Sequence, residues 1–261
     1  MAIALSSLAR RSAPLPPLII FYGTAGMGKT SIACQAPGAV YMQIAPERPP
    51  SDVDPIGFGE LTEWAQVMDA LSALYTETHD YQTVVIDSID ALEPLVWRET
   101  CLRNQWKDIE QPAYGKGYLA ADHVWRELVA GCDALRRDRG MQIIWLALAD
   151  ATTHEEPGQQ PYKRYAMKIH KRAEGLLTQA ADAILFINTK VTIKESEAGF
   201  GKKSVHAEGG GTRWLFCDGR PAFVAKNRFN LPDSFPLPKD AAWGELAKHL
   251  PGAAAPATKA A

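Results

Sequence analysis

Read as a string of apolar and polar positions, the chain opens its patterned part with an unbroken apolar run, Leu18-Ile19-Ile20-Phe21-Tyr22, that stops at Gly23. A short run of branched and aromatic residues predicts a strand buried on both faces of a parallel sheet. A helical pattern starts at Lys29-Thr30-Ser31-Ile32-Ala33 and ends at Pro37-Gly38, after which Ala39–Ile44 predicts a second strand. Residues 48–60 are rich in Pro, Gly and Asp and predict a loop. From Leu61 to Thr78 the spacing turns helical, with Leu61, Trp64, Ala65, Met68, Leu71 and Leu74 on one core-facing side. Val84-Val85-Ile86-Asp87 predicts a third strand and Ala91–Gln105 a helix. Trp106–Tyr118 is polar and glycine-bearing, Ala120–Arg139 predicts a second long helix ended by Gly140, and Met141–Ala149 predicts a fourth strand. The order β-α-β-α-β-α-α-β calls for a parallel sheet with right-handed crossovers.

The second half changes character. Asp150–Pro161 predicts a polar loop, Asp182–Ile187 a fifth strand, and the remainder alternates short strands at Thr189–Glu195, Lys203–Ala207, Arg213–Cys217 and Ala222–Lys226. Turns are expected at Gly199-Phe200-Gly201, Gly209-Gly210-Gly211 and Asp218-Gly219, which makes this part an antiparallel extension. No second core is legible. The expected fold class is therefore α/β, a mostly parallel central sheet flanked by helices with a C-terminal antiparallel β extension. The expected division is a flexible N-terminal arm over residues 1–15, one core over 16–238, and a C-terminal helix with a disordered tail over 239–261.

Composition narrows the classes. The 261 residues are 46% hydrophobic, enough for one sizeable core, and the net charge of −2 excludes a uniformly basic coat. The four cysteines, Cys34, Cys101, Cys132 and Cys217, lie far apart and read as thiols of a reducing compartment, so a cytoplasmic location is expected. No apolar run approaches a membrane-spanning length, and no membrane partner is expected.

Chemistry concentrates first at Gly23-Thr24-Ala25-Gly26-Met27-Gly28-Lys29-Thr30, which satisfies G-x-x-x-x-G-K-[ST] between a predicted strand and a predicted helix. Glycines let the backbone curl so that successive N–H groups point at phosphate oxygens, and the start of the helix adds its positive dipole end. Lys29 can then reach the β- and γ-phosphates of a nucleotide, and the Thr30 hydroxyl can ligate Mg²⁺. Asp87, at the end of a strand and following this loop, is identified with the Walker B carboxylate that supports the metal; Asp90 lies beyond the strand end. A different feature stands at Tyr162-Lys163-Arg164-Tyr165-Ala166-Met167-Lys168-Ile169-His170-Lys171-Arg172, the strongest positive concentration in the chain. Cations interleaved with tyrosines suit single-stranded nucleic acid, where charges track phosphates and rings stack on bases. A solvated helix face packed through Ile169, Ala173, Leu176, Leu177 and Ala180 explains the same residues, and the residues alone leave both readings open.

Together these features resemble the RecA-type P-loop ATPase core, and more narrowly the short phage-encoded RecA-core proteins that anneal single DNA strands, often described as AAA-family ATP-binding proteins. The resemblance rests on Gly23–Thr30, Val84–Asp87, Tyr114-Gly115-Lys116-Gly117-Tyr118, the Tyr165–Arg172 region and Ala225-Lys226-Asn227-Arg228-Phe229-Asn230-Leu231-Pro232, in order across residues 16–238. It implies ATP and Mg²⁺ as cofactors, a bacterial host cytoplasm, self-association into a ring or filament, single-stranded DNA as partner, and a single-strand DNA-binding protein as a further partner. It implies that Glu47, past the second strand, polarises the attacking water, and that Lys226 and Arg228 reach the ATP of a neighbouring subunit. It further implies that two loops, about 103–118 and 150–168, carry the DNA contacts, with Lys116, Tyr162, Lys163, Arg164, Tyr165, Lys168, Lys171 and Arg172 as candidates. Asp150 departs from the pattern, standing where such proteins place a polar sensor such as Gln or His. The implied activity is a DNA-stimulated ATPase of annealing or strand exchange. The alternative is an ATP-switched accessory module for replication or packaging with little hydrolysis; a small-molecule phosphotransferase fits poorly.

Overall fold

The computed structural model describes residues 15–198 and 202–250, with 191–198 and 202–210 described by backbone alone. The expected arm over most of 1–15, the turn at Gly199-Phe200-Gly201 and most of the expected tail lie outside the described residues. In chain order the elements are β1 (Leu18–Gly23), α1 (Lys29–Cys34), β2 (Ala39–Ile44), β3 (Gly57–Leu61), α2 (Trp64–Thr76), β4 (Thr83–Asp87), α3 (Ile89–Asn104) and α4 (Lys116–Asp138). They continue with β5 (Gln142–His154), β6 (Tyr162–Met167), α5 (Lys171–Ala180), β7 (Ala183–Ala198), β8 (Lys202–Phe216), β9 (Lys226–Asn227), β10 (Ser234–Leu237) and α6 (Ala242–Ala247).

The sheet runs β10-β8-β7-β1-β5-β4-β2-β3, and every neighbouring pair from β7 to β3 is parallel. Numbered by their own sequence, the five central parallel strands stand in the order 5-1-4-3-2, with β1 between the fourth and fifth. This is a RecA-like arrangement. The pleat sorts each strand onto two cores. Leu18, Ile20 and Tyr22 of β1 join a core with α2, α3, α4 and α5, through Leu71, Leu92, Leu128 and Leu177. Ile19 and Phe21 join a second core with α1 and α6, through Ile32, Trp243 and Leu246. Strands wet on neither face read as continuous apolar runs, which is why β1, β4 and the first half of β5 were plain in the sequence.

Four expectations change. Residues 57–61 are a parallel edge strand and not loop; the helix after them begins at Trp64 and not at Leu61. The predicted polar loop after β5 is a β-hairpin arm: β5 runs on to His154 and pairs antiparallel with β6 from Ala149↔Met167 to His154↔Tyr162. Asp150 sits on this arm, exposed, its Oδ1 accepting from the Ala151 N–H at 2.8 Å. The first predicted DNA loop is shorter than expected, because α4 already begins at Lys116. Finally, the first three short strands of the extension, with the fifth strand before them, are two long ones, β7 and β8. Gly209–Gly211 lie inside β8, where Gly211 takes a positive φ of 67° beside a register shift. The expected strand at Ala222–Lys226 reduces to the two residues of β9, and β10, which the pattern did not announce, closes the sheet edge.

Candidate functional site: a phosphate-binding loop and its carboxylates

The loop Gly23–Gly28 leaves the C-terminal end of β1 at the middle of the sheet. Gly26 and Gly28 adopt φ of 79° and 76°, left-handed values that strain a side-chain-bearing residue. Gly23 is required for another reason: a Cβ there would lie 2.4 Å from the backbone oxygen of Ile187 on β7. No acidic residue occupies the first turn of α1, so the loop amides face no competing carboxylate from that turn.

Lys29 is 9% exposed, and its Nζ donates to the carbonyls of Gly23 and Thr24, both at 3.0 Å. Burial pushes its pKa below the usual lysine value while Asp87, Asp90 and Glu47 push it back. An ammonium resting on two carbonyls of a phosphate-binding loop is held ready to exchange them for phosphate oxygens.

Asp87 ends β4 on the same sheet face as Val85, the face that α1 covers. Its Oδ2 accepts from the Thr30 hydroxyl at 2.7 Å and from the Tyr41 hydroxyl at 2.8 Å. Burial raises its pKa, and the Thr30 and Tyr41 bonds and Lys29 oppose the rise. The Thr30 hydroxyl and Asp87 carboxylate form an oxygen-only donor pair, which fits Mg²⁺: that ion takes one or two protein oxygens and completes its shell with water and phosphates. Among the described residues no cluster of three or more His, Cys, Asp or Glu offers an all-protein metal cage.

Glu47 lies three residues past β2, its N–H on the Ile44 carbonyl at 2.9 Å, and its Oε1 accepts from the Ser88 hydroxyl at 3.1 Å. Burial and the charge of Asp87 raise its pKa, which places the two carboxylates in one electrostatic neighbourhood. Ser88 is also the N-cap of α3, accepting from Ala91 N–H at 3.2 Å. The next turns of α3 reach further. Asp90 Oδ1 accepts from Leu148 N–H at 2.8 Å, and both oxygens of buried Glu93 accept from His170 N–H at 2.9 and 3.1 Å. One helix therefore ties Glu47 to both roots of the β5–β6 arm.

Three further residues take part that no motif in the sequence marks. Tyr41 is one; it reaches Asp87 across the β2–β4 pair, in which Gln43 is the register partner of Asp87, and no local spacing gives that pairing. Ser88 is the second. The third is Arg213 of β8, whose Nη1 donates to the Met27 carbonyl at 3.3 Å from 186 residues away. No local pattern could have found it. Along α1, from Ser31 and Arg213 near the loop to Gly38, Ala39 and Tyr81 at the other end of the sheet, runs a cavity of about 650 Å³ that the segment Asp52–Ile56 also lines.

Other candidates fall elsewhere. Lys226 and Arg228 lie beside the N-terminal end of β7, opposite the loop, since Lys226 pairs with Ile184. The Lys226 ammonium donates to the carbonyls of Thr178, Gln179 and Ala181 at 2.6, 3.3 and 2.5 Å, capping the end of α5. Arg228, 57% exposed, stands 3.6 Å from Asp182. Neither reaches the phosphate loop of its own chain. Asn227 between them organises the turn, its Oδ1 accepting from the N–H of Phe229 and Leu231. Of the cationic candidates for nucleic acid, Lys116, Lys163, Lys168, Lys171 and Arg172 are exposed, and Arg172 pairs with Asp122 at 2.6 Å. Arg164 is half-buried against His154 at 3.2 Å. Tyr162 lies edge-on to His154, whereas the Tyr165 ring stacks on Phe186 at 5.3 Å and is committed to the core, which narrows the expected stacking pair to Tyr162.

A family profile described as AAA domain matches residues 16–229. Among solved structures, the crystal structure of the RadB recombinase aligns over 87% of this chain and 90% of that one, at 14% identity and a TM-score of 0.47. No curated protein matches the chain. No helix among the described residues is long and apolar enough to cross a membrane.

Proposed function

The chain belongs to the AAA domain family and has a RecA-like P-loop ATPase core, and on that premise we propose that it is a DNA-stimulated ATPase that assembles on single-stranded DNA and promotes annealing. The observation that carries the nucleotide part is the meeting of Lys29, Thr30 and Asp87 at the end of β1 and β4. Lys29 leaves the carbonyls of Gly23 and Thr24 for the β- and γ-phosphates, while Thr30 and Asp87 hold the magnesium side. Bound Mg²⁺ supplies charge neutralisation across the phosphates. Glu47 orients the attacking water and takes its proton as the bond between the γ-phosphorus and the bridging oxygen breaks.

The arm supports the DNA part. It presents Lys163 to solvent, with Lys168 and Lys171 exposed where β6 gives way to α5 and Tyr162 near its tip, and α3 joins its roots to Glu47. Arg228 serves a neighbouring subunit's nucleotide in a ring or filament, a reading supported by its exposure and its distance from its own loop. A single-strand DNA-binding protein remains a proposed further partner. The test is steady-state ATP hydrolysis with and without single-stranded DNA at low salt. Stimulation that collapses as salt rises supports the reading, and Glu47→Gln abolishes turnover while ATP still binds. Absence of stimulation removes the annealing claim.

One observation favours the alternative, an ATP-switched accessory module for replication or packaging. Lys226 is occupied by three carbonyls of its own chain, which leaves Arg228 as the sole trans cation of the pair. ATP binding without turnover, together with an unchanged Glu47→Gln variant, would select that reading.

A further inference from the structure

Arg213 stands where neither the loop motif nor the carboxylates account for it. The pleat explains how it gets there. Leu215 and Cys217 of the same extended segment face α1 and α6 inside the second core, so Arg213, two residues before Leu215, points to the same side. Since β8 runs antiparallel to β7, and β7 parallel to β1, moving from Cys217 back to Arg213 moves toward the end of β1 where the phosphate loop begins. Arg213 thus emerges from the apolar layer at the loop itself. A Cβ on Gly28 would lie 1.9 Å from its Nη1 and 3.2 Å from its Cζ. The last glycine of the motif therefore leaves room for a guanidinium as well as for its own left-handed backbone.

The position of that guanidinium is specific. Its carbonyl partner on the loop, Met27, differs from the two that hold Lys29, those of Gly23 and Thr24. With Ser31, the residue after Thr30, Arg213 lines the end nearest the loop of the cavity that runs along α1. The backbone N–H groups of such a loop cradle the α- and β-phosphates, so a guanidinium beside Gly28 and Ser31 stands at that end of the phosphate chain. Among the described residues Arg213 donates to one carbonyl, that of Met27 at 3.3 Å, a long bond, and a guanidinium carries five donors. A planar fork beside a phosphate path can take two oxygens at once, which an ammonium cannot.

We propose that Arg213 is a nucleotide-binding residue acting in its own subunit, its guanidinium gripping the α-phosphate from the β8 side of the loop. The assignment rests on the phosphate-loop reading above. It makes the antiparallel extension part of the nucleotide site: β8 carries one wall, and nucleotide binding ties the extension to the parallel core. It also separates Arg213 from a γ-phosphate sensor or a trans cation, because an α-phosphate contact is made equally with substrate and product.

The test uses the full chain with Mg²⁺, measuring ATP and ADP affinity by calorimetry for wild type, Lys29→Ala, Arg213→Gln and Arg213→Lys. Arg213→Gln is expected to weaken ATP and ADP by the same factor, roughly tenfold for a charge-assisted contact. KM for ATP rises with it while kcat holds, because binding is lost equally from ground and transition states. Arg213→Lys recovers part of the loss by restoring charge without the fork. Melting temperatures without nucleotide check that each variant folds, and Arg213→Lys keeps the question open to test if Arg213→Gln does not. Wild-type affinity for ADP in the glutamine variant, or a loss confined to ATP, overturns the assignment while Lys29→Ala still abolishes binding and the site reading stands. A wild-type chain that binds neither nucleotide overturns both.

Discussion

Replacing Tyr41 by Phe removes one hydroxyl and leaves the ring where β2 packs it, 3% exposed in the core with α1. The hydroxyl donates to Asp87 Oδ2 at 2.8 Å, and the Thr30 hydroxyl donates to the same oxygen at 2.7 Å. Asp87 is 4% exposed, so no water substitutes easily for the lost donor. A hydrogen bond to a buried charged group contributes about 1.5–3 kcal/mol. The carboxylate loses that support and the protonated acid loses much less. At about 1.4 kcal/mol per unit, the Asp87 pKa should rise by about 1–2 further units, above a value that burial already raises. The ionised form is the one that supports the metal, so the acid limb of Mg²⁺-dependent nucleotide binding should move to higher pH by that amount. The assay is titration with a fluorescent ATP analogue and Mg²⁺ between about pH 5 and 9, wild type against Tyr41→Phe. An unmoved acid limb would refute the argument. So would an equal loss at every pH accompanied by a lower melting temperature, since that is the signature of a packing residue.

Glu93 is buried, and its pKa is pushed up to about 7 by that burial, from 4.5. The folded state therefore holds the proton more tightly than the unfolded chain, and this carboxyl's contribution to stability is present below about pH 4.5 and is lost as pH rises to about 7. Glu93→Gln keeps an acceptor for His170 N–H and should flatten that dependence, read as melting temperatures at acidic and alkaline pH. Glu93→Ala leaves the amide unpaired and should cost about 1–3 kcal/mol in a denaturant titration. Gly117→Ala puts a Cβ 1.8 Å from the Ile109 carbonyl oxygen, backbone that cannot swing aside, and should destabilise the turn into α4 by about 1–3 kcal/mol by the same titration. Replacing exposed Lys163 and Lys168 together by Ala should weaken single-stranded DNA binding for every sequence alike and reduce the salt slope by about 0.7 per cation, measured by anisotropy at several salt concentrations.

The residues alone determined what depends on contiguous spacing. The phosphate loop is a local object, eight consecutive residues whose glycines and lysine have roles wherever the loop sits, and the buried strands announce themselves because both faces are dry. Asp87 followed from its place at the end of one such run. Tertiary structure decided whatever is wet or distant. The edge strand Gly57–Leu61 keeps four of its five residues exposed, so no apolar alternation marks it. The β5–β6 arm leaves the core, so its polar residues look like loop until pairing across the hairpin makes them strand. Lys226 read as a free cation because the carbonyls it caps lie 45–48 residues earlier, on a helix end brought beside it by the sheet. Arg213 and Tyr41 enter the site from strands on either side of the loop, and only the sheet order 5-1-4-3-2, with β8 appended, fixes which side chains converge there.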